Sequence, residues 1–197
     1  MQTLLLSIFA AILIITIKEF TKALISASLG DPLPRRDMRI TLNPLKHIEV
    51  VGLFLIIFTG LGWGKTVSTS SLYYKNRKRD TLITYILPSL VILLFGLIVH
   101  YIIVRVYLPI TIFSFLRLVS VYGVSLAIFN IIPIQPMDGS KVLSVFLKPN
   151  QVVSLSSMEK TLLIILVLII LLWPNDPITR TVFTITQYLL MATILLP

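Results

Sequence analysis

The chain alternates long apolar runs with short polar breaks, and five of the runs are long enough to be read as membrane-crossing helices. The first extends from Thr3 to Leu29 and stops at Gly30-Asp31-Pro32, a strong helix terminator. A polar, basic stretch follows from Asp31 to His47, and the alternation at Arg39-Ile-Thr-Leu42 predicts short strands before the Asn43-Pro44 turn. Thr81 to Val106 predicts a second span, with Pro109 to Asn130 returning. Ser156 to Trp173 and Ile178 to Leu196 predict a closing pair around a turn at Pro174 to Pro177. Between the first and second spans lies a shorter run, Val50 to Trp63, which as a helix reaches only about 21 Å against a hydrocarbon core of about 30 Å.

Composition fixes the solvent. Apolar residues make up 56% of the 197 and charged residues only 13%, more apolar surface than a soluble domain of this size can hide. The lipid bilayer is therefore the expected surroundings. With no cysteine, disulfides and thiolate metal sites are excluded. The net charge of +9 does not point to nucleic acid, because no soluble basic domain carries it. The first run has no basic start and no small-residue cleavage site, so a removable signal peptide is not expected.

Charge also orients the segments. Basic clusters flank the Val50–Trp63 run on both sides: Arg35, Arg36, Arg39 and Lys46 before it, Lys75, Arg77, Lys78 and Arg79 after it. A full crossing would put one cluster outside, against the positive-inside tendency, so a re-entrant segment is expected. With the amino terminus outside, 12 of the 17 Lys and Arg residues fall in cytoplasmic loops, which also contain the Pro133–Lys160 segment.

Candidate chemistry sits where ionisable groups are costly. Lys18, Glu19 and Lys22 lie within the first span, where each charge costs about 2.5–3.5 kcal/mol at the membrane centre. Lys18 and Lys22 are four residues apart and share a helix face. Snorkelling to headgroups accounts tolerably for Lys22; Lys18, about 18 Å from the helix end, calls for buried acidic partners. The second constellation is Asn130-Ile-Ile-Pro133-Ile-Gln-Pro136-Met-Asp138-Gly139. Its prolines and glycine break the helix near membrane depth, where irregular backbone is tolerated inside protein or beside a water-filled cavity. Asp138 then faces a polar pocket, although an ordinary Asp-Gly turn accounts for it equally well.

Together these segments resemble the site-2 protease family of intramembrane zinc metallopeptidases. Lys18-Glu-Phe-Thr-Lys22-Ala23 is similar to the family pattern H-E-x-x-H-A, and Leu29-Gly-Asp-Pro32, Arg39 to Ile48, Gly62-Trp-Gly-Lys65 and Asn76 to Asp80 follow in order. The second signature is matched by Asn130, Pro133, Pro136, Asp138 and Gly139. The resemblance implies that positions 18, 22 and 138 are the metal-ligand positions and that Glu19 is the general base. It also implies a re-entrant segment after the first helix. Lysines occupy both histidine positions, and a protonated lysine has three donors and no free lone pair. His47 and His100 lie in a loop and at the opposite membrane face. The family's Gly-Pro-x-x-Asn appears as Leu87-Pro-Ser-Leu-Val91, and its Asp-Gly-Gly-Arg as Asp138-Gly-Ser-Lys141.

The expectation is an all-α polytopic membrane protein with a site-2 protease-like core of about five transmembrane helices, a re-entrant segment, and short strands after the first helix. It forms a single membrane domain: first helix 3–29, basic loops and re-entrant segment 31–80, helices 81–106 and 109–132, Asp-Gly segment 133–148 and closing pair 156–196. The expected function is that of a catalytically inactive homologue that binds, scaffolds or regulates another membrane protein or transmembrane segment. Zinc, expected in the family, is expected to be absent here, and Glu19, Lys18, Lys22 and Asp138 form a neutral salt-bridged cluster supported by Asn130, Pro133, Pro136 and Gly139. Alternatives are an intramembrane peptidase or acid–base enzyme of altered chemistry, or an ion or proton relay through the same charges. Localisation in a bacterial cytoplasmic membrane, with the basic loops in the cytoplasm, completes the expectation.

Overall fold

Each long apolar run becomes a helix because lipid offers its backbone no hydrogen-bond partner. The computed structural model describes residues 2–173 and 176–196. Five helices among them are long and apolar enough to cross a membrane: α1 (Gln2–Ser28), α4 (Arg77–Ile103), α5 (Ile110–Phe129), α7 (Pro149–Leu172) and α8 (Pro177–Leu195). Between these run the shorter α2 (Leu33–Arg36), α3 (Val50–Thr59) and α6 (Gly139–Ser144). The chain is thus an all-helical, multi-pass membrane protein.

Helices α1, α4 and α5 form the centre. Ala10, Ala11, Ile14 and Ile15 of α1 pack with Ile92 of α4 and Val119, Tyr122 and Leu126 of α5. Close approach of α4 and α5 depends on Gly96 and Gly123. A Cβ on Gly96 would stand 2.8 Å from the Ser120 carbonyl oxygen, and one on Gly123 would stand 2.8 Å from that of Ile92. Small residues at such crossings let helices meet without the hydrophobic effect to drive them together. A second cluster joins Leu55, Leu61, Trp63, Phe129, Met137, Leu166, Ile170 and Val182, drawing α3, α7 and α8 onto the far side of α5.

Helix α1 ends at Gly30, whose φ of 106° is a left-handed conformation that glycine adopts without a Cβ penalty. Beyond it, the Asp31 carboxylate accepts from the Ser26 hydroxyl (2.9 Å), the Ser70 amide (2.8 Å) and the Leu33 amide (3.0 Å). Ser26 also meets the Tyr74 hydroxyl at 2.8 Å, which accepts from Thr84 at 3.1 Å. A buried polar chain therefore ties the end of α1 to the start of α4.

The short strands expected near residues 39–42 are not formed; a bend at 40–41 with irregular chain on either side occupies that stretch. Alternation alone cannot make a strand without a partner edge. Here Arg39 turns inward to donate to the Lys65 and Thr66 carbonyls, and Met38 takes a positive φ of 50°. Over 50–63, where a re-entrant segment is expected, the structure has a ten-residue helix, α3, closed by Gly60 in the left-handed region, then extended chain. Such a helix is about 15 Å long, too short to cross.

Several helices begin earlier than their apolar runs. Helix α4 starts at Arg77 because Asn76 caps it, accepting from the Arg79 amide. Helix α7 starts at Pro149 rather than Ser156; Pro is favoured at the first helical position, and Gln151 accepts from the Lys148 amide at 2.9 Å. The turn expected at Pro174 to Pro177 lies partly outside the described residues; its described end, Asp176, caps α8 by accepting from the Thr179 amide at 2.7 Å.

Gly123→Val should lower stability by about 1–3 kcal/mol, the usual cost of overpacking. Leu94→Ala, on the exposed side of α4, is the comparison variant and should change it little. Thermal or denaturant unfolding in detergent reads the difference.

Candidate functional site

Helix α1 supplies three charged side chains to the interior of the bundle, all nearly closed to solvent: Lys18 is 3% exposed, Glu19 1% and Lys22 0%. The fourth comes from beyond α5. After Phe129 the chain leaves helical geometry, and Asn130 holds the break: its side-chain amide donates to the Leu126 carbonyl at 2.7 Å. The Asn130 carbonyl accepts from the Gly139 amide at 2.8 Å, closing residues 131–138 into a loop. Gly139 has no room for a Cβ against the Ile131 carbonyl. This closure carries Asp138, 2% exposed, to the α1 charges.

Lys18 Nζ lies 2.9 Å from Glu19 Oε1 and 2.8 Å from Asp138 Oδ2. Lys22 Nζ lies 3.1 Å from both Glu19 oxygens and 2.6 Å from Asp138 Oδ1. Each ammonium thus bridges both carboxylates, and the formal charges sum to zero. The contacts to Glu19 are well-directed hydrogen bonds; those to Asp138 approach off the favoured directions and act mainly as charge contacts. Tyr85 of α4 adds its ring face, with its centroid 5.6 Å from Lys22 Nζ. That distance falls within the range at which an aromatic quadrupole attracts a cation.

A layer of backbone supports the tetrad from the side of α3. Gly64, in the extended chain after α3, passes so close that a Cβ there would meet Glu19 Cγ at 3.2 Å and the His47 carbonyl at 2.9 Å. His47 accepts from the Lys65 amide at 2.8 Å through that carbonyl, and its Nε2 meets the Thr41 carbonyl at 2.7 Å. Nε2 must therefore carry the proton, and Nδ1 is buried without a hydrogen-bond partner among the described residues. Burial holds the His47 imidazole below its ordinary value of 6.5. Burial likewise lowers the Arg39 guanidinium, which stays charged on any accessible scale.

The remaining residues singled out in the sequence fall around this centre. Pro133 borders a cavity between α4 and α6, and Pro136 borders a smaller one beside residues 66–69. His100 is remote, bonded to the Thr193 hydroxyl at 2.7 Å. Tyr85, Gly64 and His47 were not assigned roles from sequence, since nothing in the local pattern of a membrane helix or a loop announces a long-range neighbour.

The resemblance to zinc peptidases can be tested against this donor set. A zinc site needs ligands with free lone pairs, and here the two positions on α1 present ammonium groups already within 3.1 Å of two carboxylates. Among the described residues no group of three or more His, Cys, Asp or Glu side chains is arranged to hold a metal. The residues present do not fit the metal.

Asp138→Ala removes one of two anions shared by two buried cations and should cost about 3–5 kcal/mol, less where water enters the gap. Unfolding of the variant in detergent measures it. A separate expectation concerns pH. His47 is lowered from 6.5 in the folded state, so the unfolded chain binds more protons as pH falls, and His47's contribution to stability is present above 6.5 and declines below it. His47→Gln should therefore flatten the difference in unfolding temperature between pH 8 and pH 5.5; an unchanged difference assigns that pH dependence to other groups.

Among known proteins, the chain is similar to one from Bacillus subtilis (strain 168) named "Putative zinc metalloprotease YwhC": the two are 24% identical over 196 residues, covering 89% of this chain and 90% of that protein. No family model matches the chain, and no solved structure matches it.

Proposed function

We propose that this chain is a non-hydrolytic relative of the site-2 proteases, a membrane-embedded protein that binds, scaffolds or regulates another membrane protein. The observation that carries the reading is the tetrad. Two lysines stand at the positions that the resemblance assigns to zinc-binding histidines, and their ammonium groups contact Glu19 and Asp138, which the resemblance assigns to the base and the third ligand. Two positive charges replace the two that a divalent metal would bring, so the scaffold keeps its internal electrostatic balance without it. Similarity to a protein named as a zinc metalloprotease over most of both chains supports the scaffold part of the reading. A fold does not fix an activity, and the site is what decides.

An enzyme of altered acid–base chemistry draws less support. Every charged group of the tetrad is already in contact with other members of it. We further propose a bacterial cytoplasmic membrane, with the basic loops in the cytoplasm and α3 as a re-entrant helix. The basic clusters at 35–46 and 75–79 then share one side.

Elemental analysis of purified protein tests the first proposal. Wild type should hold no stoichiometric zinc. Lys18→His and Lys22→His together should bind it with Asp138, and either alone only poorly, because a metal site needs its full ligand set. One zinc per wild-type chain, lost in Asp138→Ala, would overturn the reading. For topology, reporters inserted within 33–46 and within 66–79 should report the same side, and opposite sides would mean that the intervening segment crosses.

A further inference from the structure

Two cavities, one apolar and one of mixed lining, lie against the tetrad and have Tyr85 and Asp138 in common. The larger, about 520 Å³, runs between α4 and α6 over the end of α5, and Ser89, Leu90, Leu93, Ile131 and Phe146 form much of its wall. Leu90, Ile131 and Phe146 are exposed, so this cavity opens sideways from the bundle, where lipid lies. Along α4 it extends from about 12 Å to about 24 Å beyond the basic helix start at Arg77, a span of about 12 Å against about 15 Å for half the hydrocarbon core. The smaller cavity, about 220 Å³, has Thr66, Ser68, Thr69, Gln135, Ser140 and Lys141 in its wall beside the apolar Val67, Pro136 and Met137.

The charge that the smaller cavity offers comes from Lys141. Asp138 is already neutralised within the tetrad, and Lys141 has no carboxylate within ion-pair distance among the described residues. Glu159 of α7 feels it from farther away and lies near Gln135, which lines the same cavity. The Thr69 hydroxyl is bonded to Tyr85 at 2.6 Å, and the Ser140 hydroxyl donates to the Met137 carbonyl at 3.0 Å. Those of Thr66 and Ser68 make no hydrogen bond among the described residues and can donate to a ligand. A cation with free hydroxyl donors beside it suits a phosphate, which has several acceptor oxygens.

Size restricts the ligand further. An apolar cavity of about 150 Å³ takes a six-carbon ring, which scales the larger cavity to roughly twenty carbons, one acyl chain rather than two. At about 30 Å³ per water, the smaller one holds the equivalent of roughly seven waters, well beyond a bare carboxylate.

We propose that the two cavities form one binding site for a single-chain anionic phospholipid, with its acyl chain along α4 and α6 and its phosphate-bearing head beside Lys141. The polar–apolar junction of the ligand falls at Tyr85, which borders both cavities. This site rests on the cavities alone and stands apart from the question of zinc or hydrolysis.

The test uses the full chain in detergent, titrated with palmitoyl-lysophosphatidylglycerol below its micelle concentration and read by native mass spectrometry and unfolding temperature. Palmitoyl-lysophosphatidylcholine, with a neutral head, and palmitate, with a carboxylate alone, are the comparison ligands. Wild type should prefer the glycerol lipid by about tenfold over the choline lipid, the scale of one retained charge contact. Palmitate should bind more weakly than the glycerol lipid. Lys141→Glu should abolish that preference, and Leu90→Trp, which fills the apolar cavity, should weaken binding of all three. Equal affinity of wild type for the two lysolipids, palmitate binding as tightly as the glycerol lipid, or full binding by a folded Leu90→Trp variant would each overturn the proposal. The wild-type series decides by itself if a variant fails to fold.

Discussion

Two ammonium groups each sit within 3.1 Å of two carboxylates in a part of the bundle almost closed to solvent, and the surrounding architecture has to satisfy them. A single charge in that position is expensive, whereas a neutral set with every member in contact is tolerated. The requirement reaches beyond α1. Helix α5 has to stop at Phe129, Asn130 has to close the following loop, and Gly139 has to pass against Ile131, or Asp138 does not arrive. Packing responds to the same demand: the glycines at the α4–α5 crossing bring those helices close, and α1 packs across both.

Around the tetrad the chain uses backbone rather than side chains. The extended stretch after α3 approaches Glu19 at Gly64, the one residue type that fits between Glu19 and the His47 carbonyl. Arg39 and His47 hold that stretch by its carbonyl and amide groups, and Asp31 holds its far end through the Ser70 amide. A metal centre needs such an outer layer to orient its ligands. Here the same kind of layer confines an ion-pair cluster.

Much of the architecture was legible because lipid imposes a simple rule. A run of some twenty apolar residues has to be a helix, and the five long runs of this chain are five helices. Their ends were less legible, because caps such as Asn76 and Gln151 lie in polar sequence that hydropathy counts as loop. The alternation at residues 39–42 misled for a related reason. A strand exists only with a neighbour, and the local pattern contains no information about whether one will be there.

By itself the sequence determined which residues bear the charge and that the charge had to be neutralised, since Lys18, Glu19 and Lys22 interrupt an apolar run where water cannot solvate them. It also determined that both histidine positions of the resembled motif hold lysine, and hence that lone pairs are missing there. Tertiary structure alone decided that each lysine bridges both carboxylates, that Tyr85 covers Lys22, and that Gly64 and His47 close the near side. Those contacts join residues up to 120 positions apart, Lys18 and Asp138 among them. Sequence spacing specifies neighbours along one helix, whereas contacts between helices depend on how closely their backbones approach and where each chain turns back.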